Sequence, residues 1–132
     1  MRERADDRHR QALERFYEAF NARDLPAMLA EMHPDIEFES RFARAGATTY
    51  RGPEGVRGWI ADLADAWEQI VAELGDSYEP DEDLTIALIT LRGKRREGGV
   101  ELNERATLEV RWREGKLVRL RYAERDHPGL ET

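Results

Sequence analysis

No cysteine occurs in the 132 residues, which excludes disulfides, a thiol nucleophile and a thiolate metal site. No apolar run approaches the ~20 residues of a membrane-spanning helix. Histidine is scarce, and His9, His33 and His127 are far apart in sequence. That spacing offers no cluster of ligands for a metal. Neither Gly-x-Gly-x-x-Gly nor a P-loop pattern is present, so a nucleotide phosphate site has no support. Basic residues are outnumbered, 21 against 28, for a net charge of −7. They gather only at Lys94-Arg95-Arg96, which reads as a solvated hairpin tip. An acidic chain without a basic face is a poor match for nucleic-acid phosphates. The first residues, Met1 to Gln11, are charged throughout and cannot serve as the apolar part of a signal peptide. The expectation is a cytoplasmic protein with no metal and no cofactor, bound to neither nucleic acid nor membrane.

What is present is pattern. The length fits one domain over 1–132, with 1–8 frayed, able to bury roughly two-thirds of its unfolded surface. The most regular stretch is Val100–Glu124, two strands joined by a tight turn at Arg113-Glu114-Gly115-Lys116. Val100, Leu102, Ala106, Leu108, Val110 and Trp112 share one parity, and Val118, Leu120 and Tyr122 repeat it on the second arm. Asn103, Arg105, Thr107, Glu109, Arg111, Arg119 and Arg121 hold the other. Period-2 alternation of this kind marks strands with one buried face. Glu104 and Glu124 carry carboxyls on the apolar parity.

Upstream, Leu13, Phe16, Tyr17 and Phe20 form the i, i+3, i+4, i+7 stripe of a helix over Asp6–Ala22. Asp24 can cap a second helix, Leu25–Met32, with Pro26 in its first turn. His33-Pro34 stops it. A strand follows over Ile36–Phe42, then a loop of small residues over Ala43–Thr49. Pro53 opens a third helix carrying Val56, Trp59, Ile60, Leu63, Trp67 and Ile70 on one face. Strands are expected over Ile70–Tyr78 and Leu84–Arg92, with an acidic turn at Glu79–Asp83 and a hairpin tip at Gly93–Gly99. The order α-α-β-α-β-β-β-β implies an α+β domain with helices on one face of an antiparallel or mixed sheet.

Several local motifs resemble the SnoaL-like branch of the nuclear transport factor 2-like superfamily, the α+β cone fold. They are Phe16-Tyr17-Glu18-Ala19-Phe20-Asn21-Ala22-Arg23-Asp24-Leu25, His33-Pro34-Asp35, Tyr50-Arg51-Gly52 with Gly55-Val56, and Gly115-Lys116-Leu117-Val118. The resemblance spans about Gln11 to Leu130. It implies a curved sheet with the three helices on its concave face, a cone-shaped space between them, and a homodimer through the outer sheet face. Ketosteroid isomerases of this fold use a tyrosine and two aspartates; the matching positions here are Phe16, Ser40 and Leu108. SnoaL-type cyclases place an aspartate where this chain has Tyr122, and a phenol is a poor base at neutral pH. Limonene-epoxide-hydrolase-like members use an Asp-Arg-Asp set, echoed here by Glu104-Arg105, which alternate faces of a strand.

The alternation and the resemblance point to the same wall. Phe16, Phe20, Phe38, Ser40, Tyr50, Trp59, Leu108, Val110, Leu120 and Tyr122 are expected to line an apolar pocket for a small hydrophobic ligand. Glu104 and Tyr122 are the candidate catalytic groups, and Glu124 a further carboxyl, since burial would tune a carboxyl toward neutral pH. The expected function is binding of a small hydrophobic molecule, with cofactor-free isomerase, cyclase or hydrolase chemistry, or else a non-catalytic binding or dimerisation module.

Overall fold

Nine elements follow one another in the computed structural model, which describes residues 2–40 and 48–123. They are α1 (Arg2–Ala22), α2 (Leu25–Ala30), β1 (Met32–Ser40), β2 (Thr48–Arg51), α3 (Gly52–Ala66), β3 (Trp67–Asp81), β4 (Leu84–Arg95), β5 (Glu101–Arg113) and β6 (Lys116–Ala123). The strands form a curved, unclosed sheet in the order β2-β1-β6-β5-β4-β3. β1 runs parallel to β6, and the other neighbours are antiparallel. One core joins helix side chains to one sheet face. The expected α+β architecture is present.

The helical stripe of α1 is buried as expected, with Leu13, Phe16, Tyr17 and Phe20 all in the core. Asp24 caps α2, its Oδ1 accepting the Ala27 N–H at 3.2 Å. α2 ends at Ala30 rather than Met32, because Met32 already pairs with Leu117 of β6. A register shift between Met32 and Glu37 then accommodates His33-Pro34-Asp35 within β1. Phe42 and residues 43–47 of the expected strand and loop lie outside the described residues.

Several elements differ from the sequence reading. α3 stops at Ala66, and Trp67 and Ile70 belong to β3. Both are buried three residues apart, which mimics a helical stripe, but a register shift between Trp67 and Gln69 turns them to the same sheet face. β2 was not expected. Its Tyr50 pairs with Phe38 of β1, so a short strand arises where the sequence shows only small residues and one aromatic. β3 also runs through to Asp81, shortening the acidic turn, and β4 extends to Arg95.

The expected hairpin forms from β5 and β6 with the expected turn, and Glu124 lies outside the described residues. Arg113 pairs with Lys116 across Glu114 and Gly115, whose φ angles of 54° and 78° belong to a type I′ turn. Ala106, Leu108, Val110 and Trp112 are buried as the alternation requires. A register shift at Arg111/Trp112 makes Leu117, not Val118, the buried residue at the start of β6. Val100 precedes β5 and is exposed.

β3 ends the sheet on one side, and α1 lies along it. Asn21 bonds both backbone groups of Ala72, donating to the carbonyl at 2.9 Å and accepting the N–H at 2.8 Å. Arg23 donates to the Ile70 carbonyl at 2.7 Å, and Arg10 to that of Gly75.

Candidate functional site

α1, β1, α3 and the β5–β6 pair bring their aromatic side chains to one place. α1 contributes Phe16, Tyr17 and Phe20 at helical spacing, which directs all three inward. β1 contributes Phe38 and α3 contributes Trp59, both fully buried. The Trp59 ring stacks on Phe20 at 5.3 Å and meets Phe38 at 4.1 Å. Phe38 in turn presents its edge geometry to Tyr122 at 6.3 Å, so it stands between the indole and the phenol. Leu108 of β5 and Leu120 of β6 belong to the same core.

Polar atoms in this setting are few. The Tyr17 and Tyr122 hydroxyls share a hydrogen bond of 3.1 Å. Burial pushes the Tyr17 phenol well above its usual range, and the neighbouring Tyr122 adds to the effect. Burial likewise raises Tyr122, to about 12, although the hydrogen bond from Tyr17 works the other way. Both phenols therefore hold their protons at neutral pH, one donating to the other, and neither is a base. The Trp59 indole N–H is buried and has no hydrogen-bond partner among the described residues. Unpaired buried donors are rare, because leaving one unmade costs about 1–3 kcal/mol.

A pH dependence follows from the phenols. Unfolded tyrosines lose their protons near 10, whereas Tyr122 holds its proton to about 12 and Tyr17 beyond its usual range. The folded state then binds more protons above pH 10, so stability contributed by this pair is present below pH 10 and falls as pH rises toward 12. Denaturant midpoints measured across that window should drop steeply in the natural protein. The drop should be smaller in Tyr17→Phe; an equal drop would remove the pair as its cause.

The structure brings together most of the expected lining. Phe16, Phe20, Phe38, Tyr50, Trp59, Leu108, Val110, Leu120 and Tyr122 are all buried in one core. The side chain of Ser40 lies outside the described residues, as do Glu124 and His127. Glu104 is placed differently from the expectation of a carboxyl facing an apolar lumen. It keeps the core-face parity, cross-strand from Leu91, yet its side chain is exposed. Burying an unpaired carboxylate is costly, and near a strand end the side chain has a short route to water. Among the described residues, Asp62 brings a carboxyl to this lining through Tyr50.

Sequence reasoning missed three features. Tyr50 is not only an aromatic wall: its hydroxyl donates to Asp62 of α3 at 2.8 Å. Nothing local pairs those two residues. The Tyr17–Tyr122 bond joins positions 105 apart. Third, His9 stacks on Trp112 of β5. His33 fills the turn role read from the sequence: its Nδ1 accepts the Asp35 N–H at 3.0 Å, and Nε2 lies 3.3 Å from Glu114. Among the described residues no three acidic or histidine side chains are grouped to hold a metal ion. No described helix is long and apolar enough to cross a membrane.

The sequence model of the SnoaL-like domain family matches residues 13–120. No curated protein matches the chain. Among solved structures, TerC co-crystallised with polyporic acid superposes with a TM-score of 0.76 at 20% identity, over 89% of this chain and 91% of that one. An NTF2-like protein of unknown function from Burkholderia pseudomallei gives 0.77 at 22% identity, over 89% and 90%. RV0760c from Mycobacterium tuberculosis, in complex with estradiol-17beta-hemisuccinate, gives 0.71 at 16% identity, over 87% and 92%. At these identities the likeness is one of fold.

Proposed function

The chain belongs to the SnoaL-like domain family, and on that premise we propose that it binds a small hydrophobic molecule within its cone. The observation that carries this reading is the Trp59 indole N–H, buried without a partner. A buried donor that no described residue satisfies is suited to an acceptor on a ligand. Phe20 and Phe38 flank the indole, so a molecule reaching Nε1 lies against aromatic surface. Two relatives of the same fold hold polyporic acid and a steroid hemisuccinate, which supports a ligand of that general size and apolarity.

In an enzymatic form of this reading the reaction is a cofactor-free isomerisation, cyclisation or hydrolysis. Tyr122 then acts by donating to a developing oxyanion, because a phenol titrating at about 12 is no base at neutral pH. The exposed Glu104 would have to act from the surface. The second reading is binding without turnover. It is favoured by the donor character of Trp59 and by phenols too weakly acidic to ionise and so abstract a proton. In either form a second copy is assigned to the outer sheet face. Ion pairs there, such as Arg121 with Glu39 and Glu109 at 3.7 Å, leave both signs on one surface.

Native mass spectrometry of the protein with a panel of lipophilic carbonyl compounds tests both parts. A retained ligand should bind about tenfold more weakly to Trp59→Phe, the equivalent of one hydrogen bond with the ring kept. Equal affinity would remove Trp59 from the site. The same spectra count subunits, and monomers alone would reject the second copy.

A further inference from the structure

At the other end of α1 from the aromatic cluster, one imidazole is held on three sides. The His9 ring stacks on Trp112 of β5 at 4.3 Å with an interplanar angle of 6°. Its Nδ1 meets Oε2 of Glu79 on β3, a side chain only 8% exposed. The same oxygen accepts the hydroxyl of Thr85 on β4 at 3.0 Å. Thr85 Oγ1 in turn accepts the Trp112 indole N–H at 2.8 Å. The chain of bonds has one direction. An indole nitrogen only donates, so the Thr85 proton is free to go to Glu79. A carboxylate oxygen accepting there calls for a proton on His9 Nδ1 as well. Nε2 is then the polar ring atom that His9 has left to offer.

His9 lines a crevice of about 450 Å³ together with Arg8, Gln11, Ala12, Arg15 and Gly115. Among the described residues no acidic side chain lines it, in a chain whose net charge is −7. Among the described residues, the charged groups that line this crevice or bond His9 are Arg8 and Arg15 on α1, and Glu79 on β3, bonded to Nδ1. Arg15 bonds Glu31 through Nε at 2.9 Å and Nη2 at 3.1 Å. Its other guanidinium nitrogen, Nη1, is not used in that pair.

We propose that this crevice is a second binding site, for a small ligand of phosphate chemistry held by Arg8, Arg15 and His9. Guanidiniums suit such a group because their N–H pairs match its oxygens. The locked imidazole suits it in either charge form. A charged ring donates from Nε2 to a bare oxygen, and a neutral ring accepts there from the hydroxyl of a hydrogen phosphate. The site uses none of the aromatic cluster and stands independently of the ligand assigned to it.

The test is titration of the full chain with inorganic phosphate, followed by calorimetry and by the imidazole nitrogen resonances. Saturable binding is expected, with the His9 nitrogens shifting and those of His33 still. Arg8→Ala, at an exposed position, should weaken binding by about tenfold, and His9→Gln by at least as much. If His9→Gln fails to fold, Arg8→Ala decides alone. Binding that does not saturate, leaves His9 unmoved or survives Arg8→Ala unchanged would mean an adventitious ion only and overturn the proposal. Glycerol phosphate should compete with phosphate for the site. Binding to phosphatidate vesicles without binding to either soluble compound would overturn it too.

Discussion

Phe38→Ala is expected to lower the stability of the fold by about 3–5 kcal/mol, the range for losing a fully buried phenyl ring. Phe38 has no exposed surface and touches Trp59 on one side and Tyr122 on another. Removing it leaves a gap that β1 cannot close, because its backbone is paired on both sides, to β2 and to β6. Urea unfolding should show a lower midpoint with an unchanged slope. Benzene or indole should restore part of the loss by filling the gap, as dry apolar cavities admit such molecules. A loss below about 1 kcal/mol would mean that the interior repacks freely and that Phe38 is not its partition.

His9→Ala should cost about 3 kcal/mol, an effect that comes from what it leaves behind. The Glu79 carboxyl, nearly buried, would lose the ring that faces it, and removing one partner of such a pair is far costlier than the pair is worth. Trp112 would lose its stacking partner at the same time. Glu79→Gln keeps a group that can bond Thr85 and His9, and should cost less. The double variant should be less unstable than the sum of the singles, by 1 kcal/mol or more, since one defect removes the reason for the other. Additive losses would show that the two side chains do not act together.

Several features of the fold were legible because each rested on a local rule. The Glu114-Gly115 turn, the Asp24 cap and the alternation of Ala106, Leu108, Val110 and Trp112 follow from φ preference, capping and period 2. Errors arose where a register shift altered the period. Trp67 and Ile70 imitate a helix because a bulge puts them on one sheet face, and Leu117 displaces Val118 for the same kind of reason. β2 escaped notice because its neighbour in space, β1, supplies most of the reason for it to be a strand.

The site was legible in outline through its apolar wall and not in its polar atoms. Periodicity places Phe16, Phe38 and Leu108 inside, since any buried face must be apolar. It has no access to the bond between Tyr17 and Tyr122 or to the isolation of the Trp59 N–H, which depend on distances between elements. Glu104 shows the limit of parity from the other side. Parity assigns a direction to its Cβ, but the long side chain takes its charge to solvent.

The bonds from Asn21 to Ala72 bear on how this molecule can assemble. A side-chain amide offers one donor and one acceptor, the same pair that a neighbouring strand residue would present. With Arg10 and Arg23 beside it, α1 occupies the rim of β3 where another chain could otherwise add itself. An incoming strand would have to lift away a helix that buries Leu13, Phe16 and Phe20. Ribbon-like polymerisation by strand addition is therefore closed along that side of the sheet.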